Sequence, residues 1–295
     1  MVFIIIPVFN RVALTLKCLE AVASQSYRDC QVIVVDDGST DGSKEQIQAA
    51  FPACTLLQGN GNYYWTKSVN TGIEYVLPQL KDTDFILHIN NDTSFEHSYI
   101  EDLLAFHQKY PHSIVGSLAC DPSSKMVSHL GIFYSPWWPL VRKNYREEEI
   151  PLSKLENVDC LKSDTISARG LLIPGYVIQQ VGLLDEKNFP QYRSDEDYAL
   201  RCRKEGINVY ISTRALVYNN RENTGYDHTI HAVSWSKFYR SLFSLLSTNN
   251  LSIRWNWAKK NARIPLIYYP LDVSILVMGF VKSLVYRKIL HKHLN

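Results

Sequence analysis

The chain has few sulfur atoms, no repeats, and no long apolar run at its start. Its 295 residues hold three methionines and six scattered cysteines (Cys18, Cys30, Cys54, Cys120, Cys160 and Cys202), with no Cys-x-x-Cys pair among them. That spacing argues against a thiolate metal site and leaves reduced core thiols. The opening apolar stretch, Val2 to Val8, is too short for a signal segment and runs into Phe-Asn-Arg, so it reads as a strand and the protein is expected in the cytosol. No low-complexity segment occurs, and 46% hydrophobic residues exclude disorder. Net charge is small, +2, but unevenly spread. Ser236 to Asn295 carries ten Lys/Arg and one acid, a net of +9, which leaves 21 basic against 28 acidic residues in the rest, a net of −7. An acidic body with a basic tail suggests that the tail meets something anionic.

What is present is a strand-helix alternation. Val2 to Pro7 is apolar enough for a strand buried on both faces. Leu14, Leu16, Leu19, Val22 and Ala23 follow at helical spacing behind Asn10, a candidate cap. Strands are predicted at Gln31–Val35, Thr55–Leu57, Asp84–Ile89 and Val209–Ile211. Helices are predicted at Ser43–Phe51, Ser68–Leu77 and Ser194–Gly206, with another ending at Val181. This pattern predicts an α/β fold with a mixed, mainly parallel sheet flanked by helices. Residues 95–165 show no clear period. The chain divides into a catalytic domain at 1–225 and a basic, aromatic-rich helical region at 226–295.

Four constellations carry chemistry. Ile33-Val-Val-Asp-Asp-Gly-Ser runs a buried strand into Asp36 and Asp37, the place where α/β enzymes bind ligands. One carboxylate there can accept from a nucleobase and the other approach a ribose; the same residues also make a plain turn and helix cap. Asn90-Asn91-Asp92 repeats the arrangement after Phe85–Ile89, and Asp92, with Asn90 directly or through water, suits a hard cation. Gly59 to Gly72 is a Gly/Asn loop with three aromatics ahead of a helix; Lys67 or its amides could approach phosphate, while Trp65 reads as packing. Ser194-Asp-Glu-Asp opens a helix with acids, where Asp195 is assigned as a general base and Asp197 as structural, paired with Arg201.

In their order and spacing these motifs resemble family-2 glycosyltransferases of the GT-A fold, and in particular rhamnosyltransferase-like members from bacteria. The resemblance spans Val2 to about Asn220. It implies an inverting enzyme that moves a sugar from a nucleoside diphosphate (dTDP-rhamnose or a UDP-hexose) to a hydroxyl of a glycan, in cell-surface polysaccharide synthesis. It further implies Mg²⁺ or Mn²⁺ as cofactor, held by Asp92 with Asn90, and a nucleoside pocket containing Pro7, Asp36 and Asp37. Asn91 and Lys67 join the donor site, and Asp195 matches the catalytic aspartate. Gly170, Asp185 and Glu186 match the segment upstream of it, and Arg201 an arginine downstream. The sequence departs from the family at Asn90, where many members have aspartate, and at Ser194, where glutamate usually precedes the base. Asn219 stands near the place of a metal-binding histidine. These departures leave a catalytically inactive scaffold as a rival. A sugar nucleotidyltransferase is a weaker one, because Pro7 to Arg11 contains no glycine.

In the tail, Leu266 to Tyr286 is almost wholly apolar, interrupted by Pro270, Asp272 and Lys282. Asp272 and the proline argue for an interfacial helix rather than a span. Lys259, Lys260, Arg263, Arg287, Lys288 and Lys292 flank it, with Trp255 and Trp257 at headgroup depth. The expected partner is the inner face of the cytoplasmic membrane, where a lipid-linked acceptor would lie. Nucleic acid is not expected, because the tail is too apolar and the body too acidic.

Overall fold

The computed structural model describes residues 1–219 and 234–293, with side chains described through Tyr218 and, in the last helix, through Val285. In chain order the first half holds β1 (Val2–Val8), α1 (Val12–Ala23), β2 (Cys30–Asp36), α2 (Ser43–Ala50), β3 (Thr55–Gln58), α3 (Tyr64–Val76), β4 (Phe85–His88), β5 (Thr93–Ser94), α4 (Tyr99–Lys109) and β6 (Ser113–Cys120). A stretch of short strands follows: β7 (Met126–Ser128), β8 (Ile132–Phe133), β9 (Arg142–Lys143), β10 (Ile150–Pro151) and β11 (Cys160–Lys162). The second half has β12 (Leu171–Pro174), α5 (Gly175–Val181), α6 (Ser194–Lys204), β13 (Asn208–Asn219), α7 (Trp235–Ser241), α8 (Leu251–Asn261) and α9 (Pro265–His293).

β1 sits at the centre because it can be buried on both faces. Val2, Ile4, Ile6 and Val8 point into one apolar cluster with Cys18, Leu19 and Val22 of α1 and Ile100 and Leu103 of α4. Phe3 and Ile5 point into the other, with Val69 and Ile73 of α3, Val177 of α5 and Tyr198 of α6. β1 pairs in parallel with β2 from Val2↔Cys30 to Val8↔Asp36, and with β4 on its other side. β3 extends the parallel run beyond β2. Antiparallel β12 then joins β4 to β6, and β13 runs parallel to β6 with its register shifted between Ser212 and Leu216. The longest ladders are therefore parallel, in a mixed sheet covered by helices. The carboxyl ends of β1, β2 and β4 meet where the strand order reverses direction, which is where such sheets bind ligands.

Several local details differ from the sequence expectations. Asn10 does not cap α1. Its side-chain oxygen accepts from the Thr40 amide at 3.0 Å, and Asp41 Oδ2 takes the Val12 amide at 2.8 Å instead. α3 begins at Tyr64, four residues ahead of expectation, because Asp37 fixes the preceding amides. The stretch without clear period contains α4 and β6, the latter buried along all eight residues.

The basic tail meets the body's own carboxylates first. Lys260 of α8 lies 2.5 Å from Asp185 and 2.9 Å from Asp197; within the tail itself, Arg254 lies 2.6 Å from Asp272 of α9. Trp257, expected near headgroups, is instead 2% exposed in a cluster with Phe189, Leu200, Ile253 and Tyr268. Beyond that anchor, α9 carries a 21-residue stretch, Pro265–Val285, long and apolar enough to cross a membrane by length and composition, of which about a tenth is buried. The 225/226 boundary lies outside the described residues.

Candidate active site

At the end of β2 the two aspartates are nearly inaccessible and differently engaged. Asp36 Oδ1 accepts from the Ser39 amide at 2.9 Å and the Ser39 hydroxyl at 2.5 Å, and Gln58 reaches Oδ2 at 3.4 Å. Asp37 accepts from the amides of Gly61 (2.9 Å), Tyr63 (2.8 Å) and Tyr64 (3.1 Å). It thereby folds the Gly59–Tyr64 loop over the strand end. The approach is close: a Cβ on Gly59 would lie 2.6 Å from Asp37 Oδ1. Pro7 is buried in β1 opposite Val35.

At the end of β4, Asn90 Oδ1 accepts from the Trp65 indole at 3.0 Å. Trp65 is thus a wall residue that holds Asn90 in place. Asn91 turns away: its amide donates to Thr15 Oγ1 of α1 at 2.9 Å. Asp92 keeps one carboxylate oxygen 3.5 Å from Arg11, while its Oδ1 is buried without a hydrogen-bond partner. Lys67 is exposed on α3 and lies over the Tyr63 ring at 4.7 Å. Asn219 ends β13, and its side chain lies outside the described residues.

The N-terminus of α6 completes a cleft of about 320 Å³, lined among others by Trp65, Asn90, Asp195, Glu196, Arg169 and Arg254. Arg193, in the left-handed region at φ 71°, turns the chain into α6. Three more non-glycine residues around the cleft and the donor loops, Asn10, Arg11 and Tyr64, also have positive φ, strain of a kind that clusters at functional sites. Asp195 Oδ2 accepts from the Ala168 amide and Oδ1 from the Glu196 amide, both at 2.9 Å. Burial pushes its carboxyl above the ordinary 3.8; those amides and Arg169 pull the other way without cancelling the rise. Burial raises Glu196 too, against the pull of Arg193 and Arg254. Asp197 is fully buried and engaged by Arg201 at 3.2 Å, Lys260 at 2.9 Å and Asn261 at 3.3 Å. Asp195 and Glu196 line the cleft, and Asp197 does not.

Asn90 and Asp195 are thus brought to one cleft, with Asp36 and Asp37 at the adjoining strand end, while Lys67 and Asn91 point elsewhere. Sequence reasoning passed over Arg11, Arg169, Arg193, Glu196 and Arg254. Four of these lie inside a recognised motif or next to one of its residues, and proximity to it was the available signal. Arg254 had none, because it arrives from α8.

Comparison with known proteins decides what this arrangement belongs to. Residues 3–161 match the model of glycosyl transferase family 2. The chain belongs to that family. It is similar to the N-acetylglucosaminyl-diphospho-decaprenol L-rhamnosyltransferase of Mycobacterium tuberculosis, 24% identical over 245 residues, covering 75% of this chain and 76% of the relative. Among solved structures it resembles TarS of S. aureus (TM-score 0.52, 14% identity, 74% of this chain and 60% of that one). It also resembles GalNAc-T7 with UDP, GalNAc and Mn²⁺ (TM-score 0.56, 10% identity, 74% and 43%). At such identities these two structures bear on fold alone, and they agree with a GT-A architecture. In this fold Asn90, after β4, and the start of α6 line one cleft, while Asp36, Asp37 and Asp92 are not among its lining residues. Among the described residues no group of three or more His, Cys, Asp or Glu is placed to hold a metal.

Proposed function

We propose that this family-2 enzyme transfers a sugar with inversion from a nucleoside diphosphate, dTDP-rhamnose or a UDP-hexose, to a hydroxyl of a lipid-linked glycan in cell-surface polysaccharide synthesis. The observation that carries the reading is Asp195. Its carboxylate lines the cleft, is oriented by two amides, and has its basicity raised by burial. In the proposed step Asp195 takes the proton of the acceptor hydroxyl as its oxygen attacks the anomeric carbon. The bond from that carbon to the diphosphate oxygen breaks, and the diphosphate leaves with the electron pair. The Gly59–Tyr64 loop, held by Asp37, closes the nucleoside end, and Asp36 at the strand end faces the nucleoside.

Mg²⁺ or Mn²⁺, when bound, neutralises charge on the diphosphate. Asp92 fits such an ion. Its buried Oδ1 lacks a donor, an arrangement that is costly unless a cation fills it. A cation of this kind is commonly held by one or two carboxylates together with phosphates and water. Asn90 contributes through its position beside Trp65.

The lipid-linked acceptor is supported by the mycobacterial relative's name and by exposed apolar groups on this chain. Leu266 is 77%, Met278 61% and Trp138 57% exposed, and these would rest on the cytoplasmic leaflet. The test is calorimetric titration of UDP, dTDP and GDP with and without Mn²⁺. Metal-dependent binding of one nucleotide supports the donor assignment. Binding of none by folded protein would favour the inactive scaffold.

A further inference from the structure

The side of the cleft nearest α8 carries more positive charge than the proposed displacement needs. Arg193 and Arg254 both line it and both act on Glu196. The Arg193 guanidinium lies over the Trp257 ring, 4.8 Å from its centre. The Arg254 side chain is 11% exposed. One of its terminal nitrogens is paired with Asp272, while its Nε is buried with no acceptor. A buried guanidinium with an unmet donor is short of one oxygen. Arg254 comes from the C-terminal region, so that region builds part of the cleft wall as well as packing on the body.

Exposed apolar side chains precede the same wall in the sequence. Thr248 lines the cleft, and just before it, on the link between α7 and α8, Phe243 is 60% and Leu246 57% exposed. Exposed apolar side chains thus lie two to five residues along the chain from the cleft-lining Thr248.

We propose that Arg193 and Arg254 form a phosphate subsite for the acceptor, reading the phosphate or diphosphate that links the acceptor sugar to its carrier. The proposal rests on the glycosyltransferase reading and deepens it. Planar guanidinium groups suit phosphate oxygens in pairs, and both arginines line the cleft beside Glu196. The phosphate could belong to a lipid carrier or act without one.

The test titrates farnesyl diphosphate, farnesol and inorganic pyrophosphate into the full-length protein already saturated with the nucleotide it binds. Farnesyl diphosphate is expected to bind the nucleotide-loaded protein. Arg193→Gln and Arg254→Gln are each expected to weaken it at least tenfold while nucleotide affinity stays within twofold. Asp272→Asn, which frees Arg254 but keeps its charge, is expected to retain binding, so loss there would contradict the subsite. Tighter binding of farnesyl diphosphate than of pyrophosphate, with farnesol inert, assigns the phosphate to a lipid; equal binding assigns it to the phosphate alone. Displacement of farnesyl diphosphate by nucleotide would overturn the proposal and give the arginines to the donor, as would wild-type binding by both Gln variants. Absence of nucleotide binding at the outset would count against the donor reading instead, and the subsite would then be read on nucleotide-free protein.

Discussion

Asp37 shows how far a residue can serve a site by holding the chain rather than the ligand. Three amides converge on its carboxylate at 2.8–3.1 Å. Asp37→Ala would leave them without that acceptor and is expected to destabilise the fold by about 3–5 kcal/mol, since hydrogen bonds to charged groups contribute roughly 1.5–3 each and are not additive. Urea unfolding checks the stability, and nucleotide affinity should fall with it. Asp195 gives a pH prediction. A base works only when ionised, and burial has raised its pKa above 3.8. Activity should therefore fall on acidification at a pH above that of an ordinary aspartate. A pH profile of kcat/KM whose acid limb lies at or below that of a free aspartate would contradict the assignment. The sequence displayed Asp195 openly, because a strand-end or helix-start acid is a local pattern. Glu196 and the arginines were hidden because their importance comes from what burial and distant elements place beside them.

At the scale of elements, the parallel strands were legible wherever apolar runs ended in turn residues, as at Val2–Val8 and Cys30–Asp36. β6 was not, because Ser113-Ile-Val-Gly-Ser-Leu-Ala-Cys mixes small polar and apolar residues. It is buried by neighbours on both sides, and Gly116 is there because a Cβ would lie 2.6 Å from Ile166. α8 is tied to α6 by charge. Lys260→Met would leave the buried Asp197 with Arg201 and Asn261 only, and is expected to cost about 2–3 kcal/mol, below the ~3–5 of a fully orphaned buried charge. The same lysine shapes acid stability. Burial works to raise the Asp185 carboxyl, but hydrogen bonds from Lys260 and Asn188 hold it below 3.8. Its contribution is complete above the unfolded value of about 4 and is lost as pH falls through the lower folded value. Denaturant midpoints measured from pH 6 down to pH 2 should fall less steeply for Lys260→Met than for wild type. Parallel curves would show that the pair carries no such linkage.

For the whole molecule, the charge asymmetry that suggested an external anionic partner is partly spent internally, on Asp185 and Asp197 of the body. Lys237, Arg240, Lys259, Arg263 and Lys282 remain exposed, and large apolar side chains lie outward as well: Trp137, Trp138, Trp235 and Leu266 are 56–77% exposed. With basic residues alongside worth about 1 kcal/mol each at an anionic surface, the protein should float with phosphatidylglycerol vesicles and be released progressively by salt. No flotation with anionic vesicles would reject membrane docking while leaving the cleft untouched. The central claim, that one carboxylate at the start of α6 is the base of a sugar transfer, is tested most directly by Asp195→Asn. Turnover of the nucleotide-sugar should fall roughly 10²–10⁴-fold, the usual worth of general-base assistance, while calorimetric nucleotide affinity stays at the wild-type value. Turnover equal to wild type, from a variant shown to be folded, would place the base elsewhere and contradict the assignment.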